Sequence, residues 1–343
     1  TARVSFHPII FKKIVYLSFM RLHPYINAIY SLSHYGVMGL SQSIGKTPMP
    51  FSLSVELTNL CNLHCPCCAT GANLLKRPRG LMELQTAEKI VASLDKYALA
   101  ANLYFQGEPM LHPEFFRIAE QFRCFSGVIS TNGHFLSEEN CRKLAVSGLR
   151  KIIVSYDGVT PEVYSAYRKG GDLSMVTEGI KCLSEQIKRK KNAPELQLLF
   201  LYGRHNAHEL KNAEKFAASV NASFIVKSMQ VPDLRDIEKW IPEETRLSRY
   251  LKEGNEYRQR RGPERGCLRV WTTAVITWDG NIVPCCYDKD ASYSFGNINE
   301  KPFDEIWSGG NRRTFLSNVM RARDSYDICK SCPQGLKLFF KVR

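Results

Sequence analysis

No aspartate or glutamate occurs in residues 1–50, although Arg3, Lys12, Lys13, Arg21 and Lys46 do. A segment with cations and no acid cannot neutralise itself, so it faces water, an acidic partner or an anionic surface. Also missing is any run of 18 apolar residues without a polar break, so no helix is expected to span a membrane. Residues 1–48 lack a short apolar stretch followed by a small-residue cleavage site, so no signal peptide is read and a cytoplasmic protein is expected. Internal repeats and low-complexity segments are absent. The twelve cysteines are not spread as a disulfide framework. They gather in CxxC-like groups, which points to metal in a reducing compartment.

What is abundant is positive charge: 47 Lys and Arg against 33 Asp and Glu, a net +14 over 343 residues. Ile9–Leu22 is apolar around most of a helical circumference, with Lys12, Lys13, Ser18 and Arg21 as exceptions. The expectation is a helix packed against the body of the protein. The second reading is peripheral membrane contact through residues 1–50. The run 188–191 is basic but carries no interleaved aromatics, so a nucleic-acid partner is not expected.

The stretch Glu56-Leu-Thr-Asn-Leu-Cys61-Asn-Leu-His-Cys65-Pro-Cys67-Cys68 decides the chemistry. Thiolates of Cys61, Cys65 and Cys68, spaced x3 then x2 after an apolar run, can hold three irons of a 4Fe–4S cube. No fourth cysteine follows at usable spacing, which leaves one iron open. Structural zinc is the alternative, but it wants four ligands in tight pairs.

This pattern, with Asn62 and Leu63 after the first cysteine, resembles the radical S-adenosylmethionine (SAM) superfamily. Where that family usually carries an aromatic residue beside the adenine, this chain has Cys67. The resemblance implies a partial barrel, and the strand pattern agrees. Apolar β-rich runs at Phe51–Leu57, Ala101–Gln106, Val128–Thr131, Ile152–Tyr156, Leu196–Tyr202 and Ser223–Lys227 alternate with amphipathic helical segments. Six such repeats predict a parallel sheet with right-handed crossovers. The fold class expected is therefore α/β, a partial (β/α)6 TIM-type barrel with a small C-terminal cysteine-rich α+β domain. Boundaries fall at 1–50 for the basic helical extension, 51–231 for the barrel, 232–262 for a linker with some helix, and 263–343 for the last domain.

In barrels the chemistry sits at the C-terminal ends of strands. Gly107-Glu108-Pro109 follows the second strand and resembles the family's element that meets the SAM amino group. Ser130 and Asn132 mark the third strand tip. By the same resemblance Ser155 would touch the SAM ribose or carboxylate, and Arg168 would pair with the methionine carboxylate, a role suited to its planar fork.

A second cysteine constellation lies near the C-terminus. Cys267, twelve residues, Gly280, four residues and Cys285 are followed by Cys329-Lys-Ser-Cys332. This resembles the SPASM extension and implies one auxiliary 4Fe–4S cluster with no open iron. Asp279-Gly280 reads as the turn of a hairpin. Cys286 competes with Cys285 as ligand, and a zinc ribbon is the alternative. Of the five remaining cysteines, Cys67 and Cys286 are the candidates to donate hydrogen to a substrate radical.

Taken with the resemblance, these residues imply reductive cleavage of SAM to a 5′-deoxyadenosyl radical that takes hydrogen from an unactivated carbon. A flavodoxin or ferredoxin would supply the electron. The first substrate expectation is oxidation or cross-linking of a peptide or protein. The alternative is epimerisation or dehydrogenation of a small molecule such as a sugar, aminocyclitol or lipid head group. A non-catalytic iron–sulfur carrier is a third class, one in which Glu108 and the strand tips would have no role.

Overall fold

The computed structural model describes residues 23–37, 47–244, 247–254, 256–330, 332–334, 336 and 339–340. The expected helix at Ile9–Leu22 lies outside them. In chain order the elements are helix α1 (23–37), then β1 (Ser52–Val55), α2 (Leu84–Leu94), β2 (Ala100–Asn102), α3 (Phe115–Gln121), β3 (Ser126–Thr131), α4 (Glu138–Ala145) and β4 (Lys151–Ser155). Next come α5 (Pro161–Tyr167), α6 (Leu173–Lys188), β5 (Glu195–Tyr202), α7 (Leu210–Ser219), β6 (Ser223–Ser228), α8 (Ile237–Trp240), β7 (Tyr250–Glu253) and β8 (Glu256–Gln259). The last part holds α9 (Leu268–Thr272), β9 (Thr273–Ile276), β10 (Asn281–Val283), β11 (Gly296–Asn297), α10 (Phe303–Trp307), α11 (Gly310–Arg321), α12 (Asp327–Lys330) and β12 (Phe339–Phe340).

β1 to β6 pair in parallel in chain order, each joined to the next through helix, as the alternating pattern predicts. Parallel strands covered by helices are buried on their inward positions, and here Leu53, Ile152, Val154, Leu198 and Phe200 are fully buried. They meet Ile90 and Leu94 of α2, Leu144 of α4, Val176, Ile180 and Leu183 of α6, and Ala213 and Ala217 of α7. Side chains fix where helices start. Ser137 Oγ accepts from Asn140 N at 3.2 Å, and Asp172 Oδ1 accepts from Ser174 N at 2.8 Å.

Two departures from the sequence reading matter for the site. β2 ends at Asn102 instead of running to Gln106, because the chain must bend to bring Gly107 (φ +73°) against the segment before Cys61. The region 232–262, expected as a linker with some helix, holds α8 and also the β7–β8 hairpin. Tyr250 anchors that hairpin: its hydroxyl accepts from Val231 N at 2.7 Å and donates to Val231 O at 3.0 Å.

The hairpin expected around Asp279-Gly280 is present. Ile282 faces Ile276, Val283 faces Val275, and Gly280 takes φ +88°. Beyond the sequence reading, β9 pairs in parallel with β1, Ser52 opposite Thr273 and Val55 opposite Ile276. The barrel sheet therefore continues into the C-terminal hairpin, giving one ten-stranded sheet in the order β11-β10-β9-β1-β2-β3-β4-β5-β6-β12.

α1 lies outside the barrel. Asn27 Nδ2 donates to Met49 O at 3.1 Å and Tyr97 O at 3.0 Å, and Tyr35 packs edge-on against Trp271. No helix among the described residues is long and apolar enough to cross a membrane.

Candidate functional site

The first cysteine loop leaves β1 and is held by two other segments before any ligand is considered. Thr58 Oγ1 donates to Gly80 O at 2.7 Å, Asn59 Nδ2 donates to Pro78 O at 2.8 Å, and His64 N donates to Lys169 O at 2.9 Å. Beneath it, the fully buried Glu56 carboxylate takes Arg77 Nη1 at 2.7 Å and Nη2 at 2.5 Å, with Trp278 N at 3.2 Å. This bidentate pair joins β1, the 76–80 segment and the β9–β10 turn. Burial raises the Glu56 pKa, and Arg77 opposes it. The sequence reading missed the pair. Its one visible signal is an acid directly after an apolar strand.

Within the loop, Leu63 N donates to Cys61 Sγ at 3.4 Å, and Arg168 Nη1 approaches Cys65 Sγ at 3.8 Å. Burial pushes the Cys61 thiol up to about 11, with Glu108, Cys65 and Cys68 adding to the shift. Thiols so placed are neutral unless a metal displaces their protons, so binding releases protons and is coupled to order in the loop. Among the described residues no three His, Cys, Asp or Glu side chains close around a single-ion position. Three cysteine thiols on one loop are the donors an iron–sulfur cluster takes, so the donor set fits one by its chemistry.

The Gly107-Glu108-Pro109 element sits against this loop. A Cβ at Gly107 would lie 2.4 Å from Thr58 O and 2.6 Å from Leu60 O, and Glu108 N donates to Leu60 O at 2.8 Å. The close approach is why glycine stands there. Glu108 is 2% exposed. Its oxygens accept from Thr131 Oγ1 at 2.7 Å, Asn132 N at 2.7 Å and Met110 N at 3.1 Å. Burial pushes Glu108 up to about 7 against the pull of those donors. Its carboxylate thus ties the ends of β2 and β3 together.

Asn132 Nδ2 in turn reaches Asn62 Oδ1 at 2.7 Å and Cys61 Sγ at 3.8 Å. Cys61, Glu108 and Asn132 are one network. Ser130 and Ser155 stand on neighbouring strand ends, and neither joins that network among the described residues. Arg168 is tied elsewhere: Nε and Nη2 both lie 2.6 Å from Asp157 Oδ2, and Asp157 Oδ1 accepts from Leu201 N at 2.6 Å. The fork expected for a cofactor carboxylate is engaged by Asp157 and aimed at Cys65. His112 and His134 are held in structural bonds, to Met82 O and to Asp172 N.

The C-terminal cysteines repeat one local device. Tyr287 N donates to Cys285 Sγ at 3.5 Å and Gln334 N to Cys332 Sγ at 3.4 Å, each from two residues downstream, as Leu63 does for Cys61. Cys267 and Cys332 both raise the pKa of Cys285, after burial and Cys286, and burial pushes Cys329 up to about 12. These thiols are the donor type an iron–sulfur cluster takes, and N–H donors on cluster sulfurs tune a cluster's potential.

A cavity of about 230 Å³ opens beside the first cysteine loop. Cys67, Cys68, Phe105, Gln106 and Gly107 line it together with Lys227, Arg249 and Lys289. Burial, then Asp236, pushes Cys67 up to about 12, so it stays a thiol. Cys286 lies close enough to Lys227 and Tyr104 to influence both. The three cations went unseen as a group in the sequence because they come from three distant segments.

The Radical SAM superfamily model matches residues 55–217, and the iron–sulfur cluster-binding SPASM domain matches residues 267–333. The chain is 24% identical over 326 residues to an AdoMet-dependent heme synthase of Methanosarcina barkeri, covering 84% of this chain and 90% of that one. It is 26% identical over 317 residues to the tungsten-containing aldehyde ferredoxin oxidoreductase cofactor-modifying protein of Pyrococcus furiosus, covering 82% and 86%. Streptococcus suis SuiB bound to S-adenosylmethionine shares the fold, with TM-score 0.61 at 14% identity over 89% of this chain and 76% of that one. With both cysteine constellations inside the matched segments, this chain belongs to the radical SAM superfamily and carries a C-terminal SPASM domain.

Proposed function

We propose that the enzyme oxidises a small-molecule substrate by two electrons. Cys61, Cys65 and Cys68 would hold the SAM-binding 4Fe–4S cluster, and Cys267, Cys285, Cys329 and Cys332 a single auxiliary one. When bound, SAM and its cluster supply a 5′-deoxyadenosyl radical, and the auxiliary cluster supplies an acceptor for the substrate's second electron. The chain's own part is placement. Gly107, Glu108 and Asn132 set the strand tips against the Cys61 loop, Arg168 braces Cys65, and Glu56–Arg77 locks that loop to the auxiliary hairpin. The observation that carries the reading is the cavity. Lys289, three residues beyond Cys286, lines the same space as Cys68, which supports a substrate within reach of both parts of the chain. A flavodoxin or ferredoxin would deliver the initiating electron.

A cavity of about 230 Å³ beside Cys68 supports a compact substrate group over an extended peptide segment. The names of the two sequence relatives, a heme synthase and a cofactor-modifying protein, support the small-molecule reading. The N–H donated to Cys285 supports it, in preference to Cys286, as the auxiliary ligand.

Reconstituted enzyme, SAM and reductant are added to the small-molecule fraction of a host extract and followed by mass spectrometry. The expected result is a product lighter by two hydrogens. Cys285→Ala should abolish it and remove about half the iron, whereas Cys286→Ala keeps the iron. An isomeric product, or modification confined to the protein fraction, would sink the proposal.

A further inference from the structure

α1 is turned inside out. A surface helix ordinarily buries its apolar face and leaves its polar face to water. Residues 23–37 include no Lys, Arg, Asp or Glu, and the side that meets the body of the protein carries the hydrogen-bonding residues. Buried Asn27 donates to Met49 O at 3.1 Å and to Tyr97 O at 3.0 Å, and buried Ser31 Oγ donates to Met49 O at 3.3 Å. The side left to solvent is apolar: Tyr25, Ile26, Ile29, Tyr30, Leu32 and Val37 are 48–69% exposed. Among the described residues thirteen large apolar side chains are exposed, and six of them lie on this one helix. The other seven are spread from position 74 to position 336, so the helix carries a patch and they do not.

Single exposed apolar residues are ordinary, but a contiguous patch marks a surface that is covered in use. Charge selects the cover. Residues 1–50 carry Arg3, Lys12, Lys13, Arg21 and Lys46 and no acid. A second copy of this chain would bring two such segments together, each on a chain of net charge +14, so like charges oppose that pairing. A bilayer containing anionic lipid offers both terms at once: hydrocarbon for the isoleucines and Leu32, and negative head groups for the cations. Tyr25 and Tyr30 suit the boundary between the two, since each has an apolar ring and a polar tip. No charged side chain of α1 would have to leave water. No helix among the described residues is long and apolar enough to cross a bilayer, and α1 is roughly 22 Å long, so it would lie in the plane of the interface.

We propose that α1 docks the enzyme on an anionic membrane surface, with Tyr25, Ile26, Ile29, Tyr30, Leu32 and Val37 entering the head-group boundary and the cations of residues 1–22 adding electrostatic attraction. The docking does not depend on which substrate the enzyme oxidises. α1 contributes no cysteine and no lining residue of the cavity beside Cys68, so its outward face can be altered without touching the reaction.

The test sediments the anaerobically reconstituted 343-residue chain with vesicles of phosphatidylcholine, either alone or with one lipid in three replaced by phosphatidylglycerol. Saturable binding to the mixed vesicles is expected, with weaker binding to phosphatidylcholine alone. Moving one large aliphatic side chain out of water changes affinity about tenfold or more. Ile29→Ser should therefore weaken binding roughly tenfold, and the Ile26→Ser/Ile29→Ser double variant roughly a hundredfold, at unchanged charge. Val146→Ser, at a 54% exposed apolar position just after α4, serves as the unaffected control. Wild-type iron content and wild-type 5′-deoxyadenosine formation in solution report that the variants have folded. Three results would overturn the assignment. The first is no binding to the mixed vesicles. The second is wild-type binding by the double variant, which would mean adsorption by charge alone. The third is a lipid-free dimer that the same substitutions dissociate, which would give this face to a second copy of the chain.

Discussion

Protein with alanine at positions 61, 65 and 68 is expected to retain about four of about eight irons and to form no 5′-deoxyadenosine from SAM. The three thiols have no substitute nearby. Cys67 is adjacent, but it falls outside the x3 then x2 spacing of the other three. The second cysteine group is borne on other elements, so its iron should survive: Cys267 precedes α9, Cys285 follows β10, and Cys329 and Cys332 flank the end of α12. Iron and sulfide assays with chromatography of the SAM products read both effects. Full iron in the triple variant would show that the first motif is not a cluster site.

The second large effect is expected from Gly107→Ala, and it comes without touching a ligand. Two terms act at this position. A non-glycine residue at φ +73° carries about 1–2 kcal/mol of backbone strain. The new Cβ would also press on Thr58 O at 2.4 Å and Leu60 O at 2.6 Å, both backbone atoms that move only if the cysteine loop moves. Overpacking of this kind costs about 1–3 kcal/mol. Gly254 separates the terms, since it has φ +64° and a Cβ added there would meet nothing within 4 Å. Denaturant midpoints should show Gly254→Ala losing only the strain term and Gly107→Ala losing about twice as much. Only Gly107→Ala should slow SAM cleavage. Equal losses in the two variants would mean that the contact with the cysteine loop is not a constraint.

The barrel was readable from sequence because its strands are short apolar runs bounded by amphipathic helices, and local pattern alone places those. Val128–Thr131 and Leu196–Tyr202 were read to within two residues of β3 and β5. The pairing of β9 with β1 was not readable, since it joins segments more than 200 residues apart and no local signal selects the partner. In the site, the cysteines and Gly107-Glu108-Pro109 stood out because their chemistry depends on spacing along the chain. Arg168 shows the opposite case. Its residue type suited a carboxylate, and the structure supplies one from Asp157, eleven residues earlier, a pairing that no local signal selects. Lys227, Arg249 and Lys289 come to one cavity only through the tertiary fold.

The central claim is that the substrate radical is oxidised and not quenched, and the product formed in heavy water tests it most directly. Thiol hydrogens exchange with solvent, so a product quenched by Cys67 or Cys286 would carry deuterium at the attacked carbon. Cys67 lines the same cavity as Cys68, which makes the alternative a real competitor. The account predicts a product lighter by two hydrogens, with no deuterium at that carbon and one SAM consumed per turnover. An isomer bearing one deuterium, lost on changing Cys67 or Cys286 to alanine, would contradict it.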